Sequence, residues 1–273
     1  MNKHNEEYVL SRTSQEYQRL RVQAKLWEPM TARVLQQAGL APGMSCLDLG
    51  CGPGEVMRLM GETVGPMGHV TGVDVDGKVG NEGLGILQET TDSQFAFIET
   101  DIEATDELPG APFDMIFTRL TLIHLDDPVA ALRKMMRWTK PGGVVVVQDF
   151  DFRAWGTYPP HEAMNEAIQV ASTVMEKSGL DPQMGFKLPT YFMDAGLGAP
   201  DGTDVSGLLS GFDVVGRMTQ AVYNNVFPFA QKMGLADEAQ RESIFASIEE
   251  AIEAGTHTAS SPLLVGAWKQ TPV

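Results

Sequence analysis

The chain contains few of the residues that mark secreted, metal-binding or nucleic-acid-binding proteins. Cys46 and Cys51 are its only cysteines in 273 residues, too few for a disulfide framework or a structural zinc site. Basic residues are also scarce, since 20 Lys and Arg stand against 36 Asp and Glu and give a formal net charge of −16. A charge of this sign and size repels polyanions. We therefore expect no nucleic acid among the partners.

Long apolar runs are missing as well. Residues 1–12 lack the apolar segment of a signal peptide, and no stretch of about 18 apolar residues is present to span a bilayer. These absences predict a soluble, cytoplasmic protein without a membrane span. The length allows one substantial core or two small domains, and it leaves a homo-oligomer open.

Short β-rich runs alternate with helical segments through the first half of the chain. The runs cover residues 45–49, 69–75, 95–98, 114–118 and 144–148. This alternation is typical of a parallel sheet covered by helices. Four glycines, at 77, 80, 83 and 85, interrupt the second crossover, so we expect only a short or late helix there.

The two ends of the chain have helical patterns. A capping box at Thr13 and Glu16 predicts a helix that ends at Pro29, and a second helix is predicted over residues 31–38. Two more helices are predicted over residues 216–233 and 237–254, and the apolar run 263–268 predicts a last strand.

The segment LDLGCGPGE, residues 47–55, leads from the first strand into a helix. Gly50, Gly52 and Gly54 permit a tight turn and a close approach to a ligand, with backbone N–H groups as donors. Counting from Gly50, Glu55 occupies the third glycine position of a dinucleotide motif, which argues against NAD or FAD. No Gly-Lys-Ser or Gly-Lys-Thr follows, which excludes a P-loop.

This loop resembles the first motif of class I S-adenosylmethionine-dependent methyltransferases, D-x-G-x-G-x-G, which Asp48, Gly50, Gly52 and Gly54 fill. The resemblance implies an α/β fold with a Rossmann-like, doubly wound sheet of about seven strands, mostly parallel with an antiparallel last strand. The partner of that last strand would lie within residues 203–209. It also implies a cap of N-terminal helices over residues 1–40, then a methyltransferase domain over 41–273 with substrate-covering helical additions at about 158–258.

The same resemblance assigns cofactor contacts to residues at the ends of later strands. Asp74 would accept the ribose hydroxyls of S-adenosyl-L-methionine, with Asp76 as a nearby substitute. Asp101 and Ile102 would bind the adenine edge. Arg119, at the exit of the fourth strand, either contacts the cofactor carboxylate or a substrate, or pairs with a surface acid.

His124 and Asp149 are the candidate catalytic residues. His124 follows the fourth strand, where an imidazole takes a proton from a hydroxyl or amine acceptor or simply packs. Asp149, like Asp151, follows the fifth strand and either binds the acceptor, acts as a base or caps the next segment. Two alternating aspartates are too few ligands for a metal, so none is predicted.

Apolar side chains offer either a binding surface or a core. Aromatic and methionine residues of the later helices line an acceptor pocket or pack with each other: Met218, Tyr223, Phe227, Phe229 and Met233. Tyr8, Tyr17 and Trp27 either close the cofactor site or form a packed helix face.

The sequence therefore predicts an enzyme that transfers a methyl group from S-adenosylmethionine to an O, N or C atom of a small, partly apolar acceptor, such as a natural-product intermediate or a quinol. One alternative binds S-adenosylmethionine without methyl transfer, as a cyclase or a sensor. Another is an NAD-dependent oxidoreductase.

Overall fold

A computed structural model describes the backbone of residues 14–273 and the side chains of residues 24–273. Tyr8, Thr13 and the side chain of Tyr17 therefore lie outside the described part of the chain. The chain divides into a larger unit, residues 17–149, 184–205 and 264–273, and a smaller unit that includes residues 150–183 and 206–263.

The larger unit is built on a seven-stranded sheet. Its strands are β1 Ser45–Leu49, β2 His69–Asp74, β3 Gln94–Glu99, β4 Phe113–Arg119, β5 Thr139–Asp151, β7 Gly202–Ser206 and β10 Leu263–Gln270. Their order across the sheet is β3-β2-β1-β4-β5-β10-β7. The first five strands pair in parallel, so their carboxyl ends share one edge of the sheet.

The last strand runs against the others. Thr271 N–H donates to Gly143 O at 2.8 Å, whereas Gly266 faces Gln148, so β10 is antiparallel to β5. The expected sheet of about seven strands with an antiparallel last strand is therefore confirmed. The expected partner strand is also present, since β7 lies beside β10, although it ends at Ser206.

Helices cover both faces of this sheet. They are α1 Ser14–Gln37, α2 Glu55–Val64, α3 Gly77–Thr90, α4 Pro128–Trp138 and α6 Met184–Ala195. The prediction of two helices before the first strand was wrong, because α1 continues through Pro29. Trp27 and Thr31, on either side of Pro29, are fully buried, and this packing outweighs the local preference of proline to end a helix.

The expectation of a short or late helix after β2 was also wrong, because α3 spans Gly77–Thr90. Three of its four glycines, Gly77, Gly80 and Gly83, lie where the helix passes very close to its neighbours. A Cβ on Gly80 would lie 2.0 Å from the Phe97 ring, and a Cβ on Gly83 would lie 2.5 Å from Pro53 O. The glycines therefore form a flat helix face against β3 and the β1–α2 loop, at a cost in helix propensity that close packing offsets.

The smaller unit contains three helices and a small sheet. The helices are α5 Glu162–Lys177, α7 Val215–Lys232 and α8 Glu238–Ala254, and the sheet has the order β6-β9-β8 with β6 Gly156–Tyr158, β8 Leu209–Gly211 and β9 Thr258–Ser260. The predicted helices over 216–233 and 237–254 are confirmed. Tyr223 and Phe227 are buried in the core of this unit, with Met218 and Phe229 packed against it, as the packing alternative predicted.

None of the helices in the described part of the chain is long and apolar enough to cross a bilayer.

Candidate functional site

The β1–α2 loop is hydrogen-bonded to the end of β2. Gly52 N–H donates to Asp74 Oδ2 at 2.9 Å, and the other carboxylate oxygen, Oδ1, accepts from Asp76 N–H at 2.9 Å. The N–H groups of Gly50 and Cys51 both donate, at 2.7 and 3.0 Å, to the backbone oxygen of the β2 residue just before Asp74. The carboxylate of Asp74 therefore holds a fixed orientation beside the loop.

Two glycines of this loop have different surroundings. Gly50 has φ 71°, and a Cβ there would lie 2.2 Å from Thr121 Oγ1, so the loop packs tightly against the β4 exit. Gly52 has φ 50°, and a Cβ there would meet nothing within 4 Å. The loop is thus closed on one side and has open space above Gly52 on the other.

A buried acid, Asp48, and a half-buried arginine, Arg119, lie close to α1 and α2. Asp48 is fully buried, and burial raises the pKa of its carboxyl to about 7, while the charge of Arg119 opposes that rise. Its Oδ2 has no hydrogen-bond partner among the described atoms, and Met57 N–H stabilises the carboxylate. Arg119 donates from Nη1 to Thr31 Oγ1 at 2.9 Å, and burial lowers the pKa of its guanidinium. Arg119 therefore links α1 to the interior of the sheet edge.

The loop that follows β3 presents an acid and a buried backbone. Asp101 Oδ1 accepts from Glu103 N–H at 2.8 Å, and Ala104 N–H donates to Asp101 O at 3.2 Å. Ile102, between them, is buried. These contacts form a turn that fixes one oxygen of the Asp101 carboxylate and leaves Oδ2 outside the turn.

His124 follows β4, and Asp149 lies close to the carboxyl end of β5. His124 ends a short 3-10 helix, Leu122–His124, and Asp149 Oδ2 accepts from Ile123 N–H at 3.1 Å. The carboxylate of Asp149 therefore fixes the backbone that carries His124. His124 is half-buried, and loss of hydration lowers the pKa of its imidazole to about 4, which keeps the ring neutral at neutral pH.

Asp151, the alternative acid at this position, is already engaged within the smaller unit. Its carboxylate accepts from Arg153 Nε at 2.8 Å and from Arg153 N–H at 3.1 Å. Asp151 thus caps the segment that follows β5, which is the capping alternative of the sequence analysis.

The structure places all ten predicted site residues along one edge of the sheet in the larger unit. Four of them lie in the last residues of a strand: Asp48 in β1, Asp74 in β2, Arg119 in β4 and Asp149 in β5. The others lie in the loops that follow: Gly50, Gly52 and Gly54 after β1, Asp101 and Ile102 after β3, and His124 after β4. Among the residues that the structure describes, no group of three or more His, Cys, Asp or Glu is arranged to hold a metal ion.

Three residues at this edge were missed by the sequence analysis. Leu120 has φ 56°, a left-handed conformation that is strained for leucine and typical of functional sites, and no sequence signal marks it. Gln148 is fully buried, and neither atom of its amide has a hydrogen-bond partner in the described part of the chain. Lys134, on α4, belongs to no sequence motif, yet its ammonium is buried against the loop after β3.

Comparison with protein families gives one match that covers more than half of the chain. The family model of the methyltransferase domain matches residues 40–196. The ubiquinone/menaquinone biosynthesis C-methyltransferase UbiE of Shewanella woodyi is 30% identical over 200 residues, which cover 70% of this chain and 74% of that protein. Phosphoethanolamine N-methyltransferase 1 of Arabidopsis thaliana is 30% identical over 122 residues, 44% of this chain and 24% of that protein.

Solved structures share the fold at low sequence identity. A Bacillus halodurans protein assigned to the methyltransferases superposes with a TM-score of 0.59 at 13% identity, over 89% of this chain and 99% of its own. A cyclopropane-fatty-acyl-phospholipid synthase-like protein of Lactobacillus casei superposes with a TM-score of 0.55 at 16% identity, over 95% of each chain.

Proposed function

The chain belongs to the class I S-adenosylmethionine-dependent methyltransferases, and we propose that its acceptor is a small, partly apolar molecule methylated at O, N or C, with a quinol-like ring as the first candidate. It is an enzyme that uses S-adenosyl-L-methionine to methylate small molecules. The observation that carries the assignment of the site is the hydrogen bond between the open glycine loop and Asp74 at the carboxyl edge of the sheet.

The groups at this edge fit the parts of S-adenosylmethionine. The open space above Gly52 admits a ligand close to the backbone, and each oxygen of Asp74 still has a lone pair for a ribose hydroxyl after one backbone bond. Asp101 Oδ2 is available to an amino group of adenine. Asp48 Oδ2 is a buried carboxylate oxygen without a hydrogen-bond partner among the described atoms, and such an acceptor suits the ammonium of the methionine part.

S-adenosylmethionine bound here would supply a methyl group on a sulfonium, which an acceptor atom held in line would take while the electrons of the S–C bond stay on sulfur. The proton that the acceptor loses would pass to the neutral imidazole of His124. The protein needs no nucleophile for this step, so its contribution is alignment and the exclusion of water. Asp48 and Arg119, together with the tight contact between Gly50 and Thr121, supply a rigid wall for that alignment.

We assign the acceptor side of the reaction to His124 and Asp149. A neutral imidazole accepts a hydrogen bond from an acceptor hydroxyl and orients its oxygen or the ring carbon beside it. Asp149 positions the histidine through Ile123 N–H. Because the pKa of His124 is about 4, the ring is a weak base, and its main contribution would be orientation of the acceptor.

Two features favour a quinol-like acceptor over a phosphorylated amine. The UbiE relative, whose name states C-methylation in quinone biosynthesis, matches most of this chain, whereas the phosphoethanolamine enzyme matches less than half. The net charge of −16 also disfavours a dianionic phosphate ester at low salt.

The test is transfer of a labelled methyl group from S-adenosylmethionine to a panel of reduced quinols, phenols and amines, with phosphoethanolamine as the polar member. We expect labelled product with an apolar quinol and none with phosphoethanolamine. Calorimetry runs in parallel with S-adenosylhomocysteine and with NAD. Binding of NAD without binding of S-adenosylhomocysteine would overturn the cofactor site, and preference for the phosphorylated amine would overturn the acceptor class.

A further inference from the structure

Lys134 projects from α4 into the loop that follows β3. Its Nζ donates to Ile102 O at 2.9 Å and to Glu103 O at 2.8 Å, and Asp106 Oδ1 lies 3.6 Å away. The two backbone oxygens take two of the three N–H bonds of the ammonium, and the Asp106 carboxylate adds an ion pair. Only 9% of Lys134 is exposed. Lysine is rarely buried unless its ammonium has partners, and here the loop supplies them. The loop is therefore folded around one buried positive charge.

The contact with Ile102 O reaches the carboxylate of Asp101 through one peptide group. The ammonium polarises the carbonyl of the peptide that joins Ile102 to Glu103, and the N–H of this same peptide donates to Asp101 Oδ1 at 2.8 Å. Hydrogen bonds in series strengthen each other. Lys134 thus fixes Ile102 directly and orients the carboxylate of Asp101 indirectly.

Glu103 holds the loop from the opposite direction. Its Oε1 accepts from the N–H groups of Asp126 and Asp127 at 2.9 and 3.1 Å, at the start of α4, while its backbone oxygen accepts from Lys134 further along the same helix. The loop is therefore attached to α4 at two points. A precise binding site requires supporting residues that are held by hydrogen bonds to a rigid helix or strand, and α4 holds this loop in that way.

We propose that Lys134 is a positioning residue for adenine recognition, which acts by holding Asp101 and Ile102 in the geometry that reads the 6-amino edge of the base. This inference rests on the proposed binding of the cofactor at this edge. It predicts that loss of the ammonium changes selectivity for the base, which a general loss of stability would not do.

The experiment measures two dissociation constants, for S-adenosylhomocysteine and for S-inosylhomocysteine, in which a 6-oxo group replaces the 6-amino group. The wild-type protein should prefer the adenine ligand. Lys134→Met keeps most of the side-chain volume but has no donor. We expect it to weaken binding of S-adenosylhomocysteine about tenfold and binding of the inosine ligand much less. The ratio of the two dissociation constants, which measures the preference for adenine, therefore falls. Lys134→Arg, which keeps the charge and the donors, should restore part of the ratio.

Arg137→Met is the matched control, because Arg137 lies on the same helix and approaches the same Asp106 at 3.7 Å but is half exposed. It should leave the ratio unchanged. If Lys134→Met does not fold, Glu103→Ala tests the other attachment and should lower the ratio in the same direction. An unchanged ratio in the folded Lys134 or Glu103 variant, or an equal fall in Arg137→Met, would overturn the inference. Absence of S-adenosylhomocysteine binding in the wild type would instead overturn the proposed function.

Discussion

Gly52 and Asp74 are joined by a 2.9 Å hydrogen bond, from the backbone N–H of the glycine loop to a carboxylate oxygen at the end of the neighbouring strand. The two parts of the site that the sequence presents as separate motifs therefore hold each other in place. Asp74 also accepts from Asp76 N–H, so its carboxylate is oriented before any ligand binds. Preorganisation of this kind reduces the entropy lost on binding.

Replacement of Asp74 by Ala should raise the dissociation constant of S-adenosylhomocysteine by more than about tenfold, because both the proposed ribose acceptor and the anchor of the loop are lost. Isothermal titration calorimetry measures the change. Asp114→Ala is the control, since Asp114 accepts from Ser45 N–H and Lys140 at the amino end of β4 and should affect stability but not binding. Equal affinity in the Asp74 variant and the wild type would contradict the mapping of the ribose site.

Gly52→Ala and Gly255→Ala form a matched pair. Both glycines have positive φ, 50° and 63°, and a Cβ on either would meet nothing within 4 Å. Each substitution should lower the free energy of unfolding by about 1 kcal/mol, because alanine is strained in this conformation. Only Gly52→Ala should also weaken S-adenosylhomocysteine by more than about tenfold, since its methyl group enters the proposed ligand space. Similar binding losses in both variants would be evidence against this location.

The carboxyl of Asp48 should make stability depend on pH. Its pKa in the folded protein is about 7, above its ordinary value of 3.8, so between these values the folded state binds a proton that the unfolded state releases. The free energy of unfolding therefore falls as pH rises through this window, by at most about 1.4 kcal/mol per pH unit. Asp48→Asn should gain stability relative to wild type between pH 5 and 7 in urea titrations. A constant difference between the two proteins would contradict the raised pKa.

His124 should make stability depend on pH in the opposite direction to Asp48. Its pKa is lowered from 6.5 to about 4, so between these values only the unfolded state is protonated, and stability is lost as pH falls through the window. His124→Gln should remove that loss, which urea unfolding at pH 4.5 and 7 would detect. The same variant should reduce turnover while the affinity for S-adenosylhomocysteine stays within about twofold. Full turnover would remove His124 from the acceptor side.

Glycines of α3 should respond to alanine according to what they face. Gly80→Ala places a methyl group 2.0 Å from the Phe97 ring and should destabilise the protein by about 1–3 kcal/mol through overpacking. Gly85 has nothing within 4 Å, so Gly85→Ala should stabilise it by about 0.5–1 kcal/mol through helix propensity. Thermal unfolding of the two variants distinguishes them, and destabilisation by both would show that the glycines are needed for conformation and not for packing.

The same helix shows where sequence reasoning reached its limit. Alternating apolar runs were enough to predict the parallel sheet, because it depends on local periodicity. The number of strands, the antiparallel last strand and the placing of the site residues came from the resemblance of the glycine loop to the methyltransferase motif. The length of α3 was missed because its glycine face becomes favourable only once Phe97 is packed against it. The continuity of α1 through Pro29 was missed for the same reason, since the burial of Trp27 is a tertiary contact.

Within the candidate site, the residues that the sequence predicted are those that belong to a motif, and the residues that it did not reveal act through backbone groups. Lys134 binds two carbonyl oxygens, and a carbonyl has no sequence signature. Leu120 adopts its left-handed conformation where the chain leaves β4 and bonds Gln148 O. Such contacts are fixed by the three-dimensional path of the chain, which one sequence without its relatives does not specify.

The helices of the smaller unit come from two distant stretches of chain, which affects how this unit folds during synthesis. Helix α5 packs on α7 and α8, yet residues 184–205 of the other unit are made in between. A growing chain that stops before Val215 leaves the apolar face of α5 uncovered, and contacts of such high contact order form slowly. Neither unit corresponds to one continuous fragment, so truncation at residue 183 or 205 would yield an aggregation-prone product in place of an isolated domain.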